Sequence, residues 1–342
     1  MAQLQFGLDT FGDVTEGPDG IDLSYPEVIR NVVDQAILAD QLGIDFIGIG
    51  EHHRDDFAVS SPEMVLSAIA SRTERIHLGS AVTVLSSDDP IRVFQRYATL
   101  DAVSNGRAEI IVGRGSFTES FPLFGLPLQQ YEELFEEKLE LFAELLKEGP
   151  VTWSGNLRPP LNDQEVYPKT EKGSIPTWVG VGGSPESVVR AAKYALPLTL
   201  AIIGGQPARF APYADLYRRA LAQFGHDARP IGVHSPGYVA DSDEQAADEL
   251  WPFYSAMHAR IGAERGWPPM TREQYDGEVA YGALYVGSPE TVAAKIVATH
   301  EAIGMDRFDL KYSNGRMPHE QLLSSIRLYG EKVIPLVREQ LA

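Results

Sequence analysis

Eight short apolar runs, separated by stretches of helical periodicity, constrain this chain more than any other feature. The runs are Leu4–Asp9, Asp45–Gly50, Ile76–Leu85, Arg107–Gly113, Thr177–Val181, Leu198–Ile202, Ile231–Val239 and Arg307–Tyr312. Parallel neighbours in a sheet need crossover connections, so this alternation predicts a parallel sheet with helices on its faces. Val28, Ile29, Val32, Val33 and Ala36 recur at helical spacing after the first run. Leu134, Phe135, Leu139, Phe142, Leu145 and Leu146 do so within Tyr131–Lys147, which gives each helix one apolar face to bury. Runs such as Phe46-Ile-Gly-Ile49 and Glu109-Ile-Ile-Val112 are continuous rather than alternating, as expected of strands covered on both sides. Eight such units favour a closed α/β barrel, the (β/α)8 or TIM barrel, over the doubly wound open sheet that the same alternation permits.

A chain of 342 residues accommodates one such barrel with insertions, and no linker divides it, so a single domain over 1–342 is expected. Gly149–Ser174, with a hairpin, and Ile261–Gly282, with Trp267-Pro-Pro269, break the rhythm. Both read as insertions on the C-terminal face of the strands, where βα loops gather and lids over a substrate form. With 29 Lys+Arg against 48 Asp+Glu the net charge is −19, which excludes nonspecific nucleic-acid binding because a polyphosphate needs a cationic surface. The absence of cysteine removes disulfides, thiolate metal sites, iron–sulfur clusters and cysteine nucleophiles together. The N-terminus carries neither the basic flank nor the apolar stretch of a secretory signal, and no segment approaches the ~18 apolar residues of a membrane span. A soluble cytoplasmic protein is the expectation.

Three motifs carry chemistry. Glu51-His52-His53 follows the second strand, where a barrel places catalytic side chains. Strand alternation turns consecutive residues to opposite faces, so one histidine at most faces the barrel axis. With no His-x-His on the first strand and no His-Glu-x-x-His anywhere, no metal site is expected. His52 is the functional candidate, with Glu51 as the carboxylate that fixes its tautomer. Next, Gly182-Gly183-Ser184-Pro185-Glu186-Ser187 reads as a glycine turn into a helix capped by Ser184, and such a helix start offers free N–H groups to a phosphate. A similar Val286-Gly-Ser-Pro-Glu-Thr291 recurs later, so the pattern also occurs as a plain helix start. Third, Val112-Gly-Arg-Gly-Ser116 closes the fourth strand, and Arg114 offers a guanidinium to the same anion.

These motifs resemble, over nearly the whole chain, those of the bacterial luciferase-like superfamily of flavin-dependent oxidoreductases. The likeness rests on Ile49-Gly-Glu-His-His53, Leu78–Leu85, Asp89–Arg107, Val112-Gly-Arg-Gly115 and the two Gly-Ser-Pro-Glu turns, in that order. Gly115–Gly125 further resembles an uncharacterised subgroup. The resemblance implies a barrel holding reduced FMN, or in some branches the deazaflavin F420, at the C-terminal ends of the strands. It places Arg114, with Gly182, Gly183, Ser184 and Ser187, around the FMN phosphate. It sets His52 beside the isoalloxazine, Glu51 before it, and a non-prolyl cis peptide at Ala81–Val82 beneath the flavin. Gly183 departs from a family carboxylate and Gly113 from the reactive luciferase cysteine, so long-chain aldehyde chemistry is not implied.

The implied activity is that of a two-component monooxygenase. Reduced FMN comes from a separate flavin reductase, and oxygen from O2 passes to a small organic substrate. F420-dependent hydride transfer and flavin binding without turnover are the alternatives. A homo-oligomer is also implied.

Overall fold

A computed structural model describes residues 3–342. The strands are β1 (Gln5–Thr10), β2 (Phe46–Ile49), β3 (His77–Ser80), β4 (Thr83–Val84), β5 (Ile110–Gly113), β6 (Val151–Trp153), β7 (Leu161–Gln164), β8 (Thr177–Val181), β9 (Leu198–Ala201), β10 (Ile231–Val239), β11 (Tyr285–Gly287) and β12 (Arg307–Lys311). The helices are α1 (Tyr25–Gln41), α2 (Pro62–Ala70), α3 (Pro90–Val103), α4 (Ser120–Leu123), α5 (Tyr131–Leu145), α6 (Pro185–Lys193), α7 (Ala211–Gln223), α8 (Asp243–Arg265), α9 (Arg272–Tyr281), α10 (Pro289–Ile303), α11 (His319–Leu328) and α12 (Ile334–Gln340). All pairings in the main sheet are parallel, in the order β3-β2-β1-β12-β10-β9-β8-β5-β4. β4 pairs with β5, and a parallel bridge between Leu78 and Ala108 ties β3 to the approach to β5. The two ends of the sheet meet there, which makes it a barrel.

The expected runs supply all eight barrel positions. The third, Ile76–Leu85, is two strands rather than one, interrupted at Ala81–Val82, where the peptide is cis as the resemblance implied. β11, which pairs with the end of β10, has no counterpart among the expected runs, because two of its three residues, Val286 and Gly287, are absorbed into the helix-start motif.

Strand alternation sorts the side chains into two cores. Phe6, Leu8, Ile47, Ile49, Leu78, Ile110, Val112, Val179, Leu198, Val233 and Phe308 face outward into the large layer shared with the helices. Phe46, Ile111 and Trp178 form a separate small cluster inside the barrel. Between Phe46 and Trp178 the Arg307 guanidinium is stacked, 4.2 and 4.1 Å from the ring centroids. Arg307 is 1% exposed, with Nη1 2.7 Å from Glu109 and Nε 3.1 Å from Asp309. Burial opposes ionisation of Glu109, but Arg307 and then His77 hold its carboxyl below the usual range. This charged stack fills the floor of the barrel.

The hairpin expected in Gly149–Ser174 is β6 and β7, paired antiparallel. In the second expected insertion, Ile261–Gly282, the first residues complete α8, which runs unbroken from Asp243 to Arg265 across Pro252 and ends on Gly266 in a left-handed conformation, and α9 follows. A proline ordinarily marks a helix boundary, since it lacks an N–H and its ring crowds the preceding turn, but α8 continues through Pro252. Among the described residues no helix is long and apolar enough to cross a membrane.

Candidate active site

At the C-terminal end of the barrel the inward positions are small. A Cβ on Gly48 would stand 2.8 Å from that of Ala81, one on Gly113 2.7 Å from Val82 Cγ2, and one on Gly180 3.1 Å from Val82 Cγ1. Gly182, next inward on the same strand line, would meet nothing within 4 Å. The Ala81–Val82 segment therefore lies across a glycine bed with open space beside it, and a planar ring fits such a shelf.

Beside the shelf is an anion cradle. Ser184 caps α6, with its Oγ accepting from Ser187 N at 3.3 Å, and Pro185 takes the first helical position as expected. Gly183 turns the chain into this helix at φ +100°, where a side chain would be strained. Arg114 reaches in from the end of β5, its Nη2 3.3 Å from Ser187 Oγ, which is itself 2.7 Å from Ser184 Oγ. The look-alike helix start at α10 is closed: Asp243 already accepts from Ser288 N at 2.7 Å and from Thr291 Oγ1 at 2.9 Å. The first of the two similar motifs instead faces Arg114, whose guanidinium bridges Ser187 Oγ and the exposed Glu132 carboxylate. Guanidinium, hydroxyls and helix N–H groups are a donor set suited to a phosphate monoester, and the shelf suits the flavin ring it would carry.

His52 continues the inward line of Phe46, Gly48 and Gly50. Its ring stacks on Phe57 (centroids 4.4 Å apart) and meets Phe11 (4.7 Å) and Phe117 (5.1 Å) edge-on, leaving it 13% exposed. The expected partnership with Glu51 is not formed. Glu51 Oε1 lies 2.9 Å from His53 Nε2, and Oε2 accepts from Val84 N at 3.1 Å. Residues i and i+2 of an extended segment share a side, so Glu51 meets His53 and not His52. The carboxylate facing His52 belongs to Glu119, 3.9 Å from Nδ1, beyond direct hydrogen-bond distance. Burial opposes ionisation of Glu119, but His52 beside it holds its carboxyl below the usual range.

The end of α8 closes over this mouth. Arg54 and Arg265 lie over Phe117 at 4.7 and 4.9 Å, Arg265 donates to Ser116 O at 3.0 Å, and Glu264 bonds Arg54 at 2.6 and 2.7 Å. Deeper in the barrel His234 Nδ1 lies 2.6 Å from Asp9 Oδ2. Burial works against the charged ring, but Asp9 raises the His234 pKa above its ordinary value, and buried Asp309 is pushed up to about 7.

Sequence reasoning did not single out Glu119, Asp9 or His234, nor Arg190, whose Nη1 lies 3.5 Å from Ser187 Oγ. Only Arg190 had a local signal: it follows Ser187 by three residues and so shares its helix face.

The family profile described as luciferase-like monooxygenase matches residues 10–307. The alkanal monooxygenase alpha chain of Photorhabdus luminescens is 26% identical over 346 residues, covering 93% of this chain and 94% of its own. Among solved structures, the oxygenating constituent of 3,6-diketocamphane monooxygenase from Pseudomonas putida, in complex with FMN, superposes with a TM-score of 0.78 at 18% identity, covering 98% of this chain and 99% of that one. An F420-dependent secondary alcohol dehydrogenase, bound to an F420–acetone adduct, does so with a TM-score of 0.77 at 17% identity and the same coverage of each chain. With a barrel of this topology and a profile match over most of its length, the chain belongs to the luciferase-like monooxygenase family.

Proposed function

We propose that this protein is the oxygenating component of a two-component system that uses reduced FMN from a separate reductase and O2 to oxygenate a small organic substrate. The observation that carries the reading is the cradle of Arg114, Ser184 and Ser187 opening beside the glycine shelf at Ala81–Val82. Arg114, the two hydroxyls and the Gly182–Gly183 turn would hold the phosphate, and Ala81 and Val82 would underlie the ring. Reduced FMN bound there supplies the electrons for activating O2, which no side chain of this protein can do.

The chain's own share is threefold. The cradle fixes one end of the cofactor and so orients the other. Phe11, Phe57 and Phe117 wall His52 off from bulk water, and α8 pins Phe117 in place. His52 moves a proton at its imidazole, with Glu119 facing Nδ1 to stabilise the charged ring, a role of the kind worth typically ~10²–10⁴-fold. Glu51 acts indirectly, by fixing His53 and the Val84 backbone next to the shelf.

Separate anaerobic titrations with FMN, reduced FMN and F420 test the reading. Saturable binding of reduced FMN in preference to F420 is the expected result. Selective binding of F420 would replace oxygenation by hydride transfer, and binding of FMN with no oxygenated product from any substrate class would leave a flavin carrier.

A further inference from the structure

Glu132, in the first turn of α5, sits between two arginines. Its Oε1 accepts from Arg114 Nη1, and its Oε2 lies 3.4 Å from Arg190 Nη2. The same two guanidiniums each direct another N–H at Ser187 Oγ, at 3.3 Å from Arg114 and 3.5 Å from Arg190. Ser187 is buried, and its hydroxyl is shared with that of Ser184. One carboxylate thus bridges two arginines whose other N–H groups reach the paired hydroxyls at the start of α6.

That carboxylate matches its surroundings poorly. It has two oxygens and one charge, whereas a phosphate monoester has three terminal oxygens and close to two charges, and so satisfies more of the donors gathered there. The two kinds of side chain also differ in freedom. Glu132 is 58% exposed and can rotate into solvent. Arg190 is 13% exposed, with its Nε held by Glu136 and its guanidinium over the Phe135 ring, so it stays.

We propose that Arg190 is a second arginine of the cofactor-phosphate site, and that Glu132 is a built-in competitor occupying the site until the phosphate displaces it. The proposal rests on reading the cradle as a phosphate site. A displaced Glu132 remains near the bound phosphate and repels it, so the site holds its ligand less tightly than its donors alone would. For a protein that receives a reduced flavin and must release it again, such a competitor sets the exchange rate. If Arg190 and Glu132 merely tied α5 to α6, neither would distinguish a ligand with a phosphate from one without.

Fluorescence titrations of the full chain with FMN and with riboflavin make that distinction. Arg190→Gln is expected to weaken FMN binding about tenfold or more, the scale of a lost charge-assisted hydrogen bond, and riboflavin binding by under about twofold. Glu132→Gln changes an exposed side chain without disturbing the helix, and is expected to tighten FMN severalfold and leave riboflavin unchanged. Equal losses for both ligands in Arg190→Gln, or no tightening of FMN in Glu132→Gln, overturns the proposal. Arg114→Ala is titrated alongside. If it does not separate FMN from riboflavin, the phosphate reading itself fails. If it does while the other two variants do not, only the roles of Arg190 and Glu132 fail. Should the wild type take F420 instead, F420 and its phosphate-free deazaflavin core form the equivalent pair, with the same expectations.

Discussion

Glu119 places its carboxylate 3.9 Å from His52 Nδ1, while Glu51, the carboxylate adjacent in sequence, is bonded to His53. The two histidines therefore sit in different surroundings and are expected to respond differently to substitution. His52→Asn is expected to lower turnover ~10²-fold or more with little change in melting temperature. His53→Asn leaves Glu51 short of a partner and is expected to cost ~1–3 kcal/mol of stability with turnover per folded molecule near wild type. Glu119→Gln should reproduce part of the His52 defect. Steady-state rates and thermal melts on the three variants decide the matter, and equal behaviour of the two histidine variants would remove His52 from its proposed role.

Stability should fall as pH rises from about 5 to 8. His234 has a raised folded pKa, so what its pairing with Asp9 contributes is complete below the unfolded value near 6.5 and is lost as pH rises through the folded one. Asp309, pushed up to about 7, keeps its proton in the folded chain where the unfolded chain has lost it, which lowers stability over the same direction of pH. Asp309→Asn is expected to flatten the decline, measured by calorimetry across the range. A wild-type melting temperature independent of pH here would contradict both assignments.

Arg307→Met leaves the buried Glu109 carboxylate without its counter-charge and Asp309 without its hydrogen-bond donor, and is expected to cost ~3–5 kcal/mol in urea unfolding. Arg307→Lys keeps the charge but loses the flat surface between Phe46 and Trp178, so its cost should be smaller yet clear. Equal stability of wild type and the methionine variant would show that the stack is dispensable.

Two glycines of the shelf should respond oppositely. Gly113→Ala drives a methyl to 2.7 Å from Val82 Cγ2 and should cost ~1–3 kcal/mol by overpacking. Gly182→Ala meets no neighbour within 4 Å, so the melting temperature should hold while flavin affinity falls, as calorimetric titration would register. Undiminished flavin binding in Gly182→Ala would mean that the phosphate lies elsewhere.

The barrel was legible because strands buried on both faces leave continuous apolar runs, and Phe46–Ile49 is one. The parts of the proposed anion cradle were legible because they are local: Ser184 caps its own helix and Arg114 follows directly on its own strand. What escaped depends on where loops travel. Glu119 reaches His52, and Asp9 reaches His234, only once the chain has closed on itself, and no spacing encodes either meeting. The two Gly-Ser-Pro-Glu turns look alike in sequence and are told apart by what reaches them from elsewhere, Arg114 at the first and Asp243 at the second.

The Arg307 stack also governs traffic. With the bottom stoppered, ligands of the proposed site would come and go at the C-terminal rim, where the end of α8 bonds Ser116. A flavin and a substrate sharing that rim would not pass one another freely, so the one that seats deeper is expected to bind first and leave last. Steady-state kinetics of this protein should therefore obey a compulsory order, imposed by plumbing rather than by any change of shape.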